Sequence, residues 1–163
     1  MKTSQKHIDL FTSRVMSMNY MYDLPVYTQP VYAPDLLDRL GKFSRILEKE
    51  FKELQDLIVM VHADGENPTE DQMFNHLTAL SDLLGDIEVY CHSEAIRNGL
   101  NLHHILNFIM DSNDTKLGAD GLPIKDADGK FLKGPNFTPP EPAIKAYLQF
   151  QVKHASGELC PRK

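Results

Sequence analysis

Apolar residues recur along most of this chain at intervals of three and four, the period of a helix with one covered side. The longest such stretch spans about residues 36–62. It contains no proline and one early glycine, Gly41, and its apolar positions include Leu40, Phe43, Leu47, Leu54 and Leu57. Such a helix would be about 40 Å long. Asp35 stands where an N-cap belongs. The pattern stops at the turn cluster Ala63-Asp-Gly-Glu-Asn-Pro68 and resumes after Thr69, a capping residue followed by Glu70 and Asp71. Leu77, Leu80, Leu84, Ile87 and Cys91 carry a second long stripe until Asn98-Gly99 ends it. A shorter helix is predicted over about 102–112, on Leu102, Ile105, Leu106 and Ile109.

The flanks read differently. Residues 1–35 begin with a helical pattern (Ile8, Leu10, Phe11, Val15, Met18) and then run from Asp23 to Pro34, where Pro25, Pro30 and Pro34 deny a helix. After Asn113, the stretch Ala119 to Lys133 reads as a small hairpin turning at Asp128-Gly129. Pro135, Pro139, Pro140 and Pro142 make an extended run, residues 143–152 read as a last short helix, and the tail from Lys153 reads as loose. The expected fold is an all-α helical bundle with two long antiparallel helices, completed by dimerisation, plus a small C-terminal hairpin and extended tail. It is read as one domain over 1–163, with a helical core at about 36–113 and a tail at 114–163. Two long helices alone leave apolar surface uncovered. A homodimer making a four-helix core, or a homotetramer, is the economical remedy.

Composition narrows the function. The chain has 163 residues, enough for one domain with a sizeable core but not for two. No apolar run approaches the roughly 18 residues of a membrane span, and the first ten residues lack the apolar region of a secretory signal. Two cysteines, Cys91 and Cys160, are no disulfide framework and point to a reducing compartment, so a cytoplasmic location is expected. The net charge of −6 argues against a role in holding nucleic-acid polymer.

Chemistry is expected where the apolar pattern is interrupted. The stripe at 43, 47, 50, 54, 57 contains Glu50, and a slightly shifted register at 46, 50, 53, 57 contains Glu53 as well. On the second long helix Asp82 and Asp86 lie beside the stripe 80, 84, 87, 91. Glu50 and Glu53 are i, i+3 and Asp82 and Asp86 are i, i+4, so each pair shares a helix side. If the helices pack antiparallel, four carboxylates can converge. Uncompensated, they would repel, and a hard divalent cation such as Mg²⁺ removes that difficulty. The plainer reading is two solvated acidic faces, with Lys49 and Lys52 neutralising the first pair.

A resemblance sharpens the choice. The strings Ile46-Leu-Glu-Lys-Glu-Phe-Lys-Glu53-Leu and Leu83-Leu-Gly-Asp-Ile-Glu-Val-Tyr90 resemble the MazG-like all-α nucleoside triphosphate pyrophosphohydrolases, relatives of the phosphoribosyl-ATP pyrophosphohydrolases. That family carries a Glu-Glu-x-x-Glu helix and a later Glu-x-x-Asp helix. Asp111-Ser-Asn-Asp-Thr-Lys-Leu-Gly118, continuing to Asp128-Gly-Lys-Phe-Leu-Lys-Gly-Pro135, is similar to the Ser-Asn-x-x-Lys … Asp-Gly-Lys … Lys-Gly-Pro tail of bacterial and phage members. The resemblance covers roughly residues 36–140. Glu50 and Glu53 match the last two acids of the first motif, and Asp86 matches the last acid of the second. Lys49 stands in place of the family's first Glu and Leu83 in place of the Glu of Glu-x-x-Asp. Asp82 is the candidate replacement for the latter, and Glu48 a weaker one for the former.

The resemblance implies hydrolysis of a nucleoside triphosphate at the α-phosphorus, giving a nucleoside monophosphate and pyrophosphate, in the service of nucleotide-pool control. It implies Glu50, Glu53 and Asp86 as catalytic residues, and Glu50, Glu53, Asp82 and Asp86 as ligands of Mg²⁺, with Mn²⁺ as a substitute. Asn113, Lys116, Lys130 and Lys133 would hold the distal phosphates, with Gly129 and Gly134 allowing close backbone approach. The alternative is a non-catalytic helical protein for assembly or nucleotide sensing, with Lys49 and Leu83 marking lost chemistry.

Other features count for less. Asp126, Asp128 and Gly129 lack the remaining ligands of a calcium loop. His103-His104 shows no metal spacing and reads as a surface or capping pair. Cys91 reads as core, and Cys160 has no evident purpose. Tyr20, Tyr22, Tyr27 and Tyr32, with Met16, Met18 and Met21, could stack on a nucleobase or pack onto the bundle or a second subunit. There is no phosphate-binding Walker loop and no nucleophile elbow.

Overall fold

The computed structural model describes residues 10–154. Ile8 and Cys160, and all of the tail beyond His154, lie outside the described residues. Five helices follow one another: α1 (Leu10–Met21), α2 (Leu36–Asp64), α3 (Glu70–Ile96), α4 (Leu102–Asp114) and α5 (Glu141–Lys153). Among the described residues the one β feature is an isolated antiparallel bridge between Lys125 and Phe131, so the fold is all-α. No described helix is long and apolar enough to cross a membrane. The chain divides into two compact units. The first holds α1–α3, and the second holds α4, the hairpin, α5 and the segment Tyr27–Val31.

In the first unit α2 and α3 pack antiparallel, and polar clamps fix both ends. Near the start of α2, Arg39 is 1% exposed. One of its guanidinium nitrogens pairs with Glu94 near the end of α3 at 2.6 Å, and the other donates to the Arg97 carbonyl at 3.0 Å. Arg97 holds the second oxygen of Glu94 at 3.1 Å. At the opposite end, Asp64 accepts from Gln72 Nε2 at 2.7 Å and meets His76 Nε2 at 2.7 Å. Thr69 and Gln72 form a capping box that starts α3, satisfying orphan backbone donors in both directions. Asp35 occupies the N-cap position of α2, but its side chain makes no capping bond; its φ of −95° and ψ of 13° lie outside the extended region that capping requires. On α1, Asn19 is fully buried. It accepts from Ser93 Oγ at 2.7 Å and donates to the Ser93 carbonyl at 3.3 Å, tying α1 to α3.

The single stripe expected on α2 resolves into two rows. Arg39, Phe43, Ile46, Glu50, Leu57 and Met60 form the more covered row. Leu40, Leu47, Phe51, Leu54, Ile58 and Val61, spaced seven, four, three, four and three, form a second row that is exposed. On α3, Leu83 is buried while Met73, Leu77, Leu80 and Leu84 continue an exposed row at the same spacing. Cys91 is half-buried rather than part of a closed core.

In the second unit Asn101 caps α4 by accepting from the His104 backbone at 3.0 Å. His104 stacks on Tyr147 of α5 with ring centroids 4.4 Å apart, and Phe108 meets the same tyrosine. The hairpin turns as expected. Asp126 Oδ1 accepts from the backbone N–H of Asp128 (3.1 Å) and Lys130 (2.8 Å), and Gly129 takes the left-handed φ of 80° that a side chain would resist. Asp126 is therefore occupied in building the turn.

Candidate functional site

Glu50 is the centre of the arrangement. It sits on the covered row of α2 at 5% exposure, and its Oε2 has no hydrogen-bond partner among the described residues. Burial pushes its carboxyl above the ordinary value, and Glu53, Asp86 and Asp82 push in the same direction, against Lys49 alone. Tyr90, one turn beyond Asp86, feels the same acids. Its phenol is raised by burial first, then by Asp86, Glu50 and Glu53. Acids from both long helices therefore share one neighbourhood, as the i, i+3 and i, i+4 spacings require once the helices run antiparallel. Glu53, Asp82 and Asp86 are exposed, in contrast to Glu50. Among the described residues no three His, Cys, Asp or Glu side chains are gathered tightly enough to hold one ion as they stand. Glu50 feels the three other acids, which form no closed cage with it among the described residues.

Beside them, between α2 and α3, opens a cleft of about 280 Å³. Glu53, Asp56 and Asp82 line it together with Leu57, Met60 and Leu83. Asp56 escaped the reading of the sequence, although it continues the three-residue spacing of Glu50 and Glu53. Arg39 escaped too, because a lone arginine in the first turns of a helix looks like surface. Leu83, which stands where the resemblance would have an acid, is 4% exposed and packs as a core residue.

The second unit holds the other candidates. Asn113 and Lys116 line a cleft of about 370 Å³ with Leu117, Ile124, Phe131 and Leu132. Lys130 and Lys133 do not line it. Lys130 contributes its backbone to the Asp126 turn, and the Lys133 ammonium lies 4.3 Å over the Phe137 ring. Gly134 does allow a close approach, but to the protein's own backbone: a Cβ there would collide with the Leu117 carbonyl. The tyrosines divide as well, with Tyr20, Tyr22 and Tyr32 exposed.

No family model matches the chain, and no curated protein matches it. Among solved structures it is similar to a protein from Exiguobacterium sp. 255-15 described as a "putative NTP pyrophosphohydrolase". The two share 22% identity at a TM-score of 0.49, over 92% of this chain and 100% of that one. At that level the similarity assigns no residue a role. What Glu50 and its neighbours can do rests on their own chemistry.

Proposed function

We propose that this chain is a Mg²⁺-dependent nucleoside triphosphate pyrophosphohydrolase that converts an NTP or dNTP to the monophosphate and pyrophosphate, acting on a cytoplasmic nucleotide pool. One observation carries the reading: a buried carboxylate with an oxygen unpartnered among the described residues, set among three further acids from two helices. Such a group must protonate or bind a cation. An all-oxygen donor set suits a hard divalent ion, so Glu50, Glu53, Asp82 and Asp86 would hold Mg²⁺, or Mn²⁺ as its substitute. When bound, the ion supplies charge neutralisation for the triphosphate and activation of the attacking water.

The remaining steps belong to side chains. Closing around a ligand asks little of Glu53, Asp82 and Asp86, which are exposed and can change rotamer, while Glu50 is fixed by its packing. The oxygen of water would bond to the α-phosphorus as the bond to the bridging oxygen breaks. Pyrophosphate would leave with that electron pair, and Glu53 or Asp86 is the proposed acceptor of the proton. Asn113, Lys116, Lys130 and Lys133 of the second unit are the proposed phosphate-binding residues, as the resemblance implies. The exposed rows on α2 and α3 favour a homodimer or homotetramer, since contiguous apolar rows of that length are costly in water.

Incubation with a panel of NTPs and dNTPs plus Mg²⁺, scoring pyrophosphate separately from orthophosphate, tests the reading. Pyrophosphate release abolished by Glu53→Gln or Asp86→Asn is the expected result. A second reading has its own observation: Leu83 is packed as core where the family carries an acid, and Lys49 replaces another. A non-catalytic assembly or nucleotide-sensing protein would show no turnover of any nucleotide with Mg²⁺ or Mn²⁺.

A further inference from the structure

Resting on that reading, we propose that the cleft bordered by Glu53, Asp56 and Asp82 receives the nucleobase of the substrate and favours bases bearing an exocyclic amino group. The cleft pairs an apolar floor (Leu57, Met60, Leu83) with a carboxylate rim, a combination suited to a flat ring with hydrogen-bond donors at its edge. At about 280 Å³ it falls just below the roughly 300–1,000 Å³ of pockets that enclose a whole ligand. It has room for a ring system rather than a complete nucleotide. It shares Glu53 and Asp82 with the acid cluster, so a nucleotide held there by its phosphates can extend into it. Asp56 lies about 4.5 Å further along α2 than Glu53, on the side away from Glu50, and has no hydrogen-bond or ion-pair partner among the described residues.

An ionised carboxylate accepts hydrogen bonds and donates none. Adenine, cytosine and guanine each offer it an amino group. Uracil and thymine present one ring N–H between two carbonyl oxygens, which the acid repels. Asp56 is thus a specificity-determining residue, while Glu53 and Asp82 serve the phosphate end.

The test measures equilibrium binding of non-hydrolysable α,β-methylene analogues of ATP, CTP and UTP with Mg²⁺, alongside turnover of the natural nucleotides. Wild-type protein should bind the two amino-bearing analogues on the order of tenfold more tightly than the uracil one. Asp56→Asn, which replaces an acceptor oxygen by an amide donor at an exposed site, should collapse that ratio, mainly by improving uracil binding. Equal affinity for all three analogues overturns the proposal, as does an Asp56→Asn change that weakens all three alike or alters only Mg²⁺ affinity. Hydrolysis without base preference sinks base reading and leaves the pyrophosphohydrolase. Base-selective binding without hydrolysis does the reverse, and no binding at all sinks both.

Discussion

Glu50 carries the account at the scale of single residues. Its folded carboxyl titrates above its ordinary value of 4.5, chiefly through burial. The folded state therefore holds the proton more tightly than the unfolded state, and metal-free stability should fall as pH rises from about 4.5 through the raised value. Thermal melts in a chelator across acid to neutral pH should show that decline. Glu50→Gln should flatten it and melt a few degrees higher than wild type at neutral pH. The same substitution should reduce pyrophosphate release at least about 10²-fold, so stability and activity move in opposite directions. Glu50 was legible in the sequence because it interrupts an apolar stripe. Asp35 was legible only as a residue type: a cap needs an extended backbone, and that is decided by the chain's entry into α2 rather than by the aspartate.

Between the elements, the clamps at the two ends of α2 and α3 set the register that brings the acids together. Arg39→Ala would remove one of the two arginines that hold Glu94 and leave Arg39's hydrogen bond to the Arg97 carbonyl unmade. Its cost should be about 3 kcal/mol, measured by urea denaturation. Thr69→Ala should cost about 1 kcal/mol through loss of the capping box. Helix positions were readable from spacing: α2 and α3 end within two residues of where turn clusters and prolines place them. The division of α2 into two apolar rows was not readable. A period of three and four shows that a residue faces something, not whether that neighbour is α3 or another chain, so Leu47 and Leu54 joined Phe43 and Leu57 in one stripe. The same limit hid Asp56, which looks like any solvated acid until Leu57, Met60 and Leu83 are seen around it.

For the molecule as a whole, the exposed rows on α2 and α3 make the assembly a measurable quantity. Light scattering should give a dimer or tetramer. The paired change Leu54→Glu and Leu80→Glu, which sets charge into both rows without touching the acids, should shift it toward monomer; a wild-type monomer would remove the argument from uncovered surface. The acids of α2 and α3 are the proposed cation site. Calorimetric titration of Mg²⁺ and Mn²⁺ into metal-free protein at neutral pH tests it most directly, with Glu50→Gln and Asp86→Asn measured beside wild type. At least one ion should bind per chain, with affinity reduced about 10–100-fold in either variant. Absence of binding for both ions up to millimolar concentration, or binding unchanged in both variants, would contradict it.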